Sequence, residues 1–305
     1  ILITGESGTG KDLVAQAIHE KSGRKGKFVP INCAGIPEGL LESELFGHVK
    51  GSFSGAVREK EGLVQTASKG TLFLDEIADM PMSLQVKLLR LIQQKQVQKV
   101  GSTHFEDVDV RIITATNQSL IEKIEQNSFR KDLYYRINVV EISLPPLRAR
   151  GADMSLLISH FVKKYCSKLG KHLEKISPEV ISLFQRYPWP GNVRELENAI
   201  ERAVTLSKGQ SIEIEDIPSS IIDYFNSRAP QLAGSLAERV EAFELSCIKH
   251  CLAANENDMA KAAEQLDVSL ATLYRKAKKL KESRDKVIPI LEIASSSYQF
   301  DSIKF

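Results

Sequence analysis

The chain has 305 residues, of which 42% are apolar and 26% are charged, proportions typical of a globular protein with a sizeable core. Its formal net charge of +2 excludes a uniformly basic nucleic-acid binder, so a DNA-binding surface would need a local concentration of Lys and Arg. Four scattered cysteines, no signal peptide and no long apolar run exclude a disulfide scaffold and a membrane protein, which predicts a reduced, soluble, cytoplasmic protein with no membrane partner.

Short β-type runs alternate with longer segments of helical period through about residue 145, and the first run has no Met before it. These runs are residues 28–31, 71–74, 110–114 and 139–142, after an opening run at 1–4. The alternation predicts an α/β domain with a largely parallel sheet over residues 1–145, which we interpret as truncated at its N-terminus.

Helical spacing without strand-like runs predicts a smaller all-helical unit over residues 146–221. Within it, Asn192 is predicted to start a helix and Glu195 to complete a capping box. Residues 222–234 have the composition of a linker, 235–282 form a last helical module, and the tail 283–305 has no predicted structure.

A glycine-rich segment follows the opening run and precedes the helical segment 12–21; it reads Gly5-Glu6-Ser7-Gly8-Thr9-Gly10-Lys11. Strand, glycine-rich turn and helix in this order are the context of a phosphate-binding loop. Backbone N–H groups would surround the phosphates, the helix dipole would favour their charge, and Lys11 would reach the β and γ phosphates. Asp12 stands where the general motif has the magnesium-binding Ser or Thr. The alternative is a plain strand-to-helix turn.

Two polar clusters end later apolar runs. Asp75 is predicted to hold Mg²⁺, directly or through water, and Glu76 to polarise the attacking water. Thr116 and Asn117 end another run, and the ends of parallel strands share one sheet edge. Taken alone, the acidic pair would more often cap a helix and Asn117 would as readily form a turn. The phosphate loop favours an ATP hydrolysis site instead.

Near the C-terminus, Asp258 and Ser269 can each cap a short helix, with only Asp267 and Val268 as a turn between the two. Asp267 belongs to the residue types that tolerate a left-handed backbone, so the pattern predicts a helix-turn-helix. The residues predicted to contact DNA are Ser269, Thr272, Tyr274, Arg275, Lys276 and Lys279. A basic run on a helix is usually only a solvated face, and the helix-turn-helix context reverses that preference.

These motifs, in this order, resemble the AAA+ domain of sigma-54-dependent activators, also called bacterial enhancer-binding proteins. The resemblance covers nearly all of residues 1–221 and includes further matching segments at 44–48, 51–56, 129–136, 144–148 and 189–196. It implies an AAA+ P-loop NTPase with a parallel sheet and a helical lid, followed by a small all-α, Fis-type helix-turn-helix domain. In that family the dimer of this last domain reads a two-fold symmetric enhancer.

The resemblance also implies roles for single residues. Thr116 and Asn117 would form the first sensor and Arg194 the second, while Asn32 would couple nucleotide state to Glu76. The family usually has Glu where this chain has Asp12, a mild departure.

Two arginine fingers, Arg130 and Arg136, are implied to act on the neighbouring subunit's ATP, so hydrolysis would require a homo-oligomer, from dimer to hexameric ring. Viewed alone, each would be a solvated surface arginine. For Arg194 the charge opposes the helix dipole, which favours an anionic ligand nearby.

Residues 51–56 read GSFSGA and correspond to the family's GAFTGA loop, which contacts sigma-54. Phe53 and Ser54 are the implied contacts, because an aromatic flanked by glycines suits a mobile contact loop. Ser52, Ser54 and Val49 depart from the family pattern. The alternative is a glycine-hinged surface loop.

The sequence therefore predicts a transcription activator that binds enhancer DNA, hydrolyses ATP with Mg²⁺ as a ring oligomer, and remodels the sigma-54 RNA polymerase holoenzyme. One alternative is a DNA-binding regulator with nucleotide-gated oligomerisation that does not engage sigma-54. A third reading, a general AAA+ remodeller of other proteins, leaves the helix-turn-helix without a use.

Overall fold

The structure, a computed structural model, describes residues 1–54, 56–228 and 258–282, together with 235, 240, 243–245, 247–248, 251–252 and 255. Side chains are described for all of these except 226–228 and 277–282. The chain divides into two compact units, one ending at Pro218 and the other beginning at Ser219. Within the described part, no helix combines the length and apolar character needed to cross a membrane.

A five-stranded parallel sheet forms the centre of the first unit. Its strands, in spatial order, are β2 (Phe28–Asn32), β3 (Thr71–Asp75), β6 (Arg111–Thr116), β1 (Leu2–Thr4) and β7 (Glu141–Ser143). Two short strands, β4 (Gln96–Val97) and β5 (Glu106–Asp107), pair antiparallel beside it. The parallel sheet and the α/β class predicted from the alternating pattern are confirmed.

Alternation along β3 places Leu72 and Leu74 in the core on one face of the sheet and Phe73 in the core on the other. A strand buried on both faces needs the continuous apolar run that marked it in the sequence. The strand predicted at 139–142 starts two residues too early, because β7 begins only at Glu141. Val139 and Val140 before it are exposed.

Helices cover both faces of this sheet. They are α1 (Lys11–Lys21), α2 (Glu38–Phe46), α3 (Leu63–Thr66), α4 (Met82–Gln94), α5 (Leu120–Glu125) and α6 (Lys131–Ile137). Ala15 of α1 packs in the core that contains Phe73, whereas Leu41 of α2 and Leu88 of α4 pack in the core that contains Leu72. The loops at the carboxyl ends of the strands therefore lie between two helical layers, where parallel α/β folds place their ligands.

Three helices form a lid region after the sheet: α7 (Gly151–Leu169), α8 (Pro178–Arg186) and α9 (Asn192–Leu206). Ser177 caps α8 by accepting a hydrogen bond from the Val180 N–H, and Pro178 occupies the first helical position, where its missing N–H costs nothing. Trp189 is fully buried and donates its indole N–H to the Phe184 carbonyl at 2.7 Å.

The lid is not wholly helical, which corrects the expectation for this region. Strand β8 (Lys175–Ile176) pairs in parallel with β9 (Ser211–Ile212). The pairing buries Ile176 and Ile212 together with the backbone polar groups between them. Runs of two residues are too short for periodicity to reveal.

Helix α9 begins at Asn192 as predicted, but the capping box is wrong. Asn192 has a left-handed backbone with φ 53°, outside the extended region that an N-cap adopts. Glu195 accepts the backbone N–H of Gly191 at 2.8 Å instead. The side chain of Asn192 is therefore free to bond away from its own helix.

The second unit begins with α10 (Ser219–Arg228), so the first seven residues of the predicted linker are helical. The linker prediction followed the polar composition around Asn226 and Ser227. The apolar residues at 221, 222, 224 and 225 just before them supply the spacing of a helix.

The helix-turn-helix is confirmed as α11 (Met259–Gln265) followed by α12 (Leu270–Glu282). Asp258 accepts from the Ala260 and Lys261 N–H groups, and Asp267 in the turn has φ 49°, as its residue type predicted. Ala262 and Leu273 are fully buried where the helices meet, so small side chains allow the close crossing.

Candidate active site

The phosphate loop has the conformation that an anion cradle requires. Gly5, Gly8 and Gly10 all have positive φ, at 154°, 75° and 94°. Lys11 begins α1 and is buried, with its ammonium nitrogen 3.0 Å from the carbonyl oxygen of Gly5 and 3.3 Å from that of Glu6. A cation and a helix N-terminus thus meet at one loop, which suits a polyphosphate.

Asp75 and Glu76 lie at the carboxyl edge of the same sheet. Asp75 ends β3, and its Oδ1 accepts the backbone N–H of Glu76 at 3.0 Å. Glu76 has a left-handed backbone with φ 51°, and its Oε2 accepts the N–H of Asn117 at 3.3 Å. The sequence analysis placed these residues on one edge, and the structure brings them together.

Partial burial raises the pKa of Glu76 above its ordinary value, while the charge of Lys11 opposes that rise and the charge of Asp75 adds to it. A carboxylate with a raised pKa accepts protons more readily near neutral pH. The interaction with Lys11 also places the two groups in one electrostatic environment. The arrangement can therefore hold an anion and accept a proton from a group beside it.

The donor set at this edge fits a magnesium ion. Asp75 uses one carboxylate oxygen for the Glu76 N–H, and within the described residues its second oxygen has no hydrogen-bond donor. Asp12 lies exposed in the first turn of α1. Carboxylate oxygens are the protein ligands that Mg²⁺ prefers.

The predicted sensors occupy different positions in this structure. Thr116 is fully buried at the end of β6, and its carbonyl accepts the N–H of Gly5 at 3.3 Å, so it adjoins the phosphate loop. Asn117 is exposed. The amide oxygen of Asn32 accepts the N–H groups of Ala34 and Gly35 at 2.9 and 3.1 Å, and within the described residues no hydrogen bond links Asn32 to Glu76.

Two of the three predicted arginines have no hydrogen bond to this loop among the described residues. Arg130 is held by a bidentate ion pair to Asp132, at 3.0 and 2.6 Å. Arg136 is exposed at the other end of the sheet, where it lines a cavity of about 330 Å³ with Arg24, Lys95 and Arg111 among others. Arg194, by contrast, stands on the lid directly over the loop, and its backbone N–H lies 3.3 Å from the Gly8 carbonyl.

Two lid residues contact the loop although the sequence predicted no such contact for either. Arg148 donates to both carboxylate oxygens of Glu6, at 2.9 and 2.5 Å. Asn192 donates to Glu6 at 3.1 Å and to the Ser7 carbonyl at 2.9 Å. Both residues belong to the segments that carried the family resemblance, but their partners lie more than a hundred residues away and leave no local signal.

In the candidate sigma-54 loop, residues 51–56, Phe53 packs against His48, which precedes the loop. Phe53 is 40% exposed and stands edge-on against the His48 ring, with centroids 5.0 Å apart. His48 is itself fixed by hydrogen bonds to the Ser43 hydroxyl and the Arg58 carbonyl. Ser54 is exposed, and Gly55 lies outside the described residues.

The candidate DNA-binding face lies on α12. Ser269 accepts the Thr272 N–H at 3.2 Å, and the hydroxyl groups of these two residues lie 2.8 Å apart. Tyr274 and Arg275 are exposed, whereas Lys276 forms an ion pair with Glu244. The side chain of Lys279 lies outside the described residues.

Three family models match consecutive parts of the chain. The sigma-54 interaction domain matches residues 1–143, the AAA+ ATPase lid domain matches 148–233, and the Fis family of bacterial regulatory proteins matches 239–280. The first two matches contain all the residues of the candidate nucleotide site. The third contains the helix-turn-helix.

Similar proteins share this arrangement over most of the chain. Regulatory protein AtoC of Escherichia coli is 44% identical over 282 residues, which are 90% of this chain and 61% of the relative. Regulatory protein LuxO of Vibrio cholerae is 44% identical over 286 residues, 90% of this chain and 63% of the relative. The chain thus spans about three fifths of the length of these relatives.

A crystal structure of NtrX from Brucella abortus in complex with ADP has a similar fold. It matches with a TM-score of 0.72 and 36% sequence identity, over 92% of this chain and 64% of that one. A second NtrX structure, in complex with ATP, matches with a TM-score of 0.66 at the same identity.

Proposed function

The chain belongs to the sigma-54-dependent transcription activators, and from that membership we propose that it hydrolyses ATP in a ring of subunits to remodel the sigma-54 RNA polymerase holoenzyme. One observation carries the proposal: Lys11 in its phosphate loop shares a sheet edge and an electrostatic environment with Asp75 and Glu76. A loop that binds phosphates beside a base is the minimum for phosphoryl transfer to water.

Each group at this edge has a distinct task. The loop N–H groups and Lys11 bind the β and γ phosphates. Thr116 and Asn117 are proposed to respond to the terminal phosphate, since Thr116 adjoins Gly5 and the Asn117 N–H donates to Glu76. Glu76 orients the attacking water and accepts its proton, aided by its raised pKa. Asp75 is the residue that would hold Mg²⁺, which neutralises phosphate charge when bound.

The position of the arginines supports the proposed assembly. Arg136 lies at the amino end of the sheet, away from its own phosphate loop, so it is available to a neighbouring subunit. Arg130 directly precedes the same helix and is held by Asp132, and Arg130 and Arg136 are proposed to act as fingers. A finger supplied by the neighbour makes hydrolysis depend on ring closure, from dimers to a hexamer.

The remaining contacts belong to the two specialised surfaces. Phe53 and Ser54 are proposed to contact sigma-54 when the loop rises from His48. Arg275 and its neighbours on α12 are proposed to bind enhancer DNA, with the ion pair to Glu244 orienting Lys276.

The hydrolysis site is tested by Glu76→Gln in the purified chain. The variant should bind a fluorescent ATP analogue as tightly as the unsubstituted chain, yet release no phosphate above background. Glu42→Gln is the matched control, because Glu42 forms a partly exposed ion pair with Lys87 between α2 and α4 and should leave turnover unchanged. Equal turnover in the two variants would refute the role of Glu76.

The sigma-54 step needs its own assay, open-complex formation at a sigma-54 promoter in a purified system. Phe53→Ala should hydrolyse ATP normally and form no open complex. If the unsubstituted chain hydrolyses ATP and binds DNA but forms no open complex, the alternative function is favoured. That alternative, a regulator with nucleotide-gated oligomerisation, is kept open by the departures at Ser52 and Ser54.

A further inference from the structure

The carbonyl groups of the phosphate loop all have hydrogen-bond donors, and the lid supplies four of them. Within the loop, Lys11 donates to the carbonyls of Gly5 and Glu6, and the Thr9 hydroxyl also donates to that of Glu6. The lid donors are Asn192 Nδ2 to the Ser7 carbonyl at 2.9 Å, the N–H groups of Val193 and Arg194 to the Gly8 carbonyl at 2.9 and 3.3 Å, and Arg150 to the Thr9 carbonyl at 3.3 Å. The lid thus binds the outer side of the loop.

The orientation of these carbonyls decides the orientation of the N–H groups. In a planar trans peptide the C=O and the following N–H point in opposite directions. Donors that hold the carbonyls of Ser7 and Thr9 toward the lid therefore turn the N–H groups of Gly8 and Gly10 toward the opposite side. Inward N–H groups are what a phosphate cradle requires.

The approach at Gly8 is close enough to exclude any side chain. A Cβ built there would lie 2.3 Å from the carbonyl oxygen of Gly191, and the backbone has φ +75°. Only glycine lets the lid backbone reach the loop at this distance. The contact between lid and loop is therefore specified by the sequence on both sides.

Glu6 is the only loop side chain with charged partners on the lid among the residues described. Arg148 approaches its two carboxylate oxygens, and Asn192 adds a third hydrogen bond. These hydrogen bonds lower the pKa of Glu6 to about 2, and the one from Arg148 has the largest effect. The carboxylate is consequently ionised at every working pH.

We propose that Glu6 and Arg148 are positioning residues for nucleotide binding, which fasten the lid to the phosphate loop so that its N–H groups stay turned toward the phosphates. The inference rests on the proposed function, since it concerns the same nucleotide. Arg148 has a second effect, because it offsets the negative charge that Glu6 would otherwise present to a polyphosphate. Neither residue touches the reacting atoms.

The two residues should differ in what their removal does. In Arg148→Gln the lid loses its ionic attachment and Glu6 is left as an unpaired anion beside the phosphates. In Glu6→Gln the attachment is weakened, but no uncompensated negative charge remains. Arg148→Gln should therefore weaken ATP binding by about tenfold or more, and Glu6→Gln by only about threefold.

The two substitutions should also be coupled. Once Glu6 is neutral, removal of Arg148 leaves no unpaired anion, so the double variant should bind ATP more tightly than Arg148→Gln alone. Arg148→Lys should restore part of the affinity, because it keeps the charge and loses the two-pronged geometry. The side chains of Arg148 and Glu6 are 49% and 43% exposed. If they formed only an ordinary exposed ion pair, the substitutions would have small effects on ATP affinity and would not be coupled in this way.

The experiment measures dissociation constants for a fluorescent ATP analogue, KM and kcat for ATP, and thermal unfolding of the full chain. Lys164→Gln is the matched control, because Lys164 forms an exposed ion pair with Glu197 inside the lid and does not contact the loop. We expect Arg148→Gln to raise the dissociation constant and KM with a smaller change in kcat, at an unfolding temperature similar to that of the control.

The outcomes separate this inference from the proposed function. If the unsubstituted chain binds the analogue and Lys11→Ala does not, the nucleotide site stands. Equal affinity in Arg148→Gln and Lys164→Gln would then overturn the inference alone, as would a double variant that binds no more tightly than Arg148→Gln. Absence of binding in the unsubstituted chain would overturn the proposed function and the inference together.

Discussion

Replacement of Asn192 by Ala is expected to destabilise the first unit by about 3–6 kcal/mol. Asn192 is fully buried, and its Oδ1 accepts the backbone N–H of Leu147 at 2.8 Å. Its Nδ2 donates to the Ser7 carbonyl at 2.9 Å and to Glu6 at 3.1 Å. One side chain thus joins three points that are far apart in the sequence.

Three terms make up this magnitude. A buried Leu147 N–H without an acceptor costs about 1–3 kcal/mol, and loss of the hydrogen bond to Ser7 costs about 0.5–1.5 kcal/mol. The backbone at residue 192 has φ 53°, a left-handed conformation that costs Ala roughly 1–2 kcal/mol and that Asn tolerates. The hydrogen bond to Glu6 adds less, because Glu6 keeps its ion pair with Arg148.

Urea unfolding followed by the fluorescence of Trp189 measures this change, since Trp189 is the single Trp of the chain and lies buried in the lid. Asn192→Gly is the matched control, because it loses the same hydrogen bonds without left-handed strain and should be about 1 kcal/mol more stable than the Ala variant. An Ala variant within about 0.5 kcal/mol of the unsubstituted chain would refute the reasoning. Equal stability of Ala and Gly variants would refute its backbone term.

Three further outcomes are expected. The kcat for ATP should fall as the pH is lowered through the pKa of Glu76, because only the ionised carboxylate accepts a proton. Since burial raises that pKa, the fall in kcat should be centred above the ordinary pKa of Glu, and a fall centred at or below it would contradict the assignment. Burial raises the pKa of the Cys33 thiol to about 12, so iodoacetamide should label Cys33 far more slowly in the folded chain than in urea, and equal rates would be inconsistent with the fold. Arg275→Ala should weaken DNA binding and, if Arg275 contacts a phosphate, reduce the slope of log affinity against log salt by about 1; an unchanged affinity would remove Arg275 from the interface.

The carboxyl edge of the sheet could be predicted because its signals are local. Asp75 and Thr116 each end an apolar strand, the glycine-rich loop before Lys11 follows another, and parallel strands bring such positions together without further information. The same logic predicted the helix-turn-helix, where Asp267 adopts the left-handed turn that its residue type allows. The ends of strands were predicted less accurately, since β7 begins two residues after the start of its apolar run.

Contacts between the lid and the loop could not be predicted in the same way. Asn192 has the sequence context of an N-cap, and nothing beside it indicates that its partner is Glu6, 186 positions earlier. Arg148 likewise lies in a segment whose local pattern gives only a turn after Pro146. Side-chain pairing between distant segments depends on how two subdomains pack against each other, and the hydrophobic periodicity of a sequence indicates only local secondary structure.

The geometry of β6 supports the proposal that the reaction needs a second subunit. Thr116 at its carboxyl end accepts the N–H of Gly5 in the phosphate loop, whereas Arg111 at its amino end lines the same cavity as Arg136. Five residue steps at roughly 3.3 Å each separate these ends by roughly 16 Å, with the sheet between them. Arg136 therefore lies toward the end of the sheet opposite to its own chain's phosphate loop. If it acts as a finger, the phosphate it serves belongs to another copy, so the rate per subunit must rise with protein concentration.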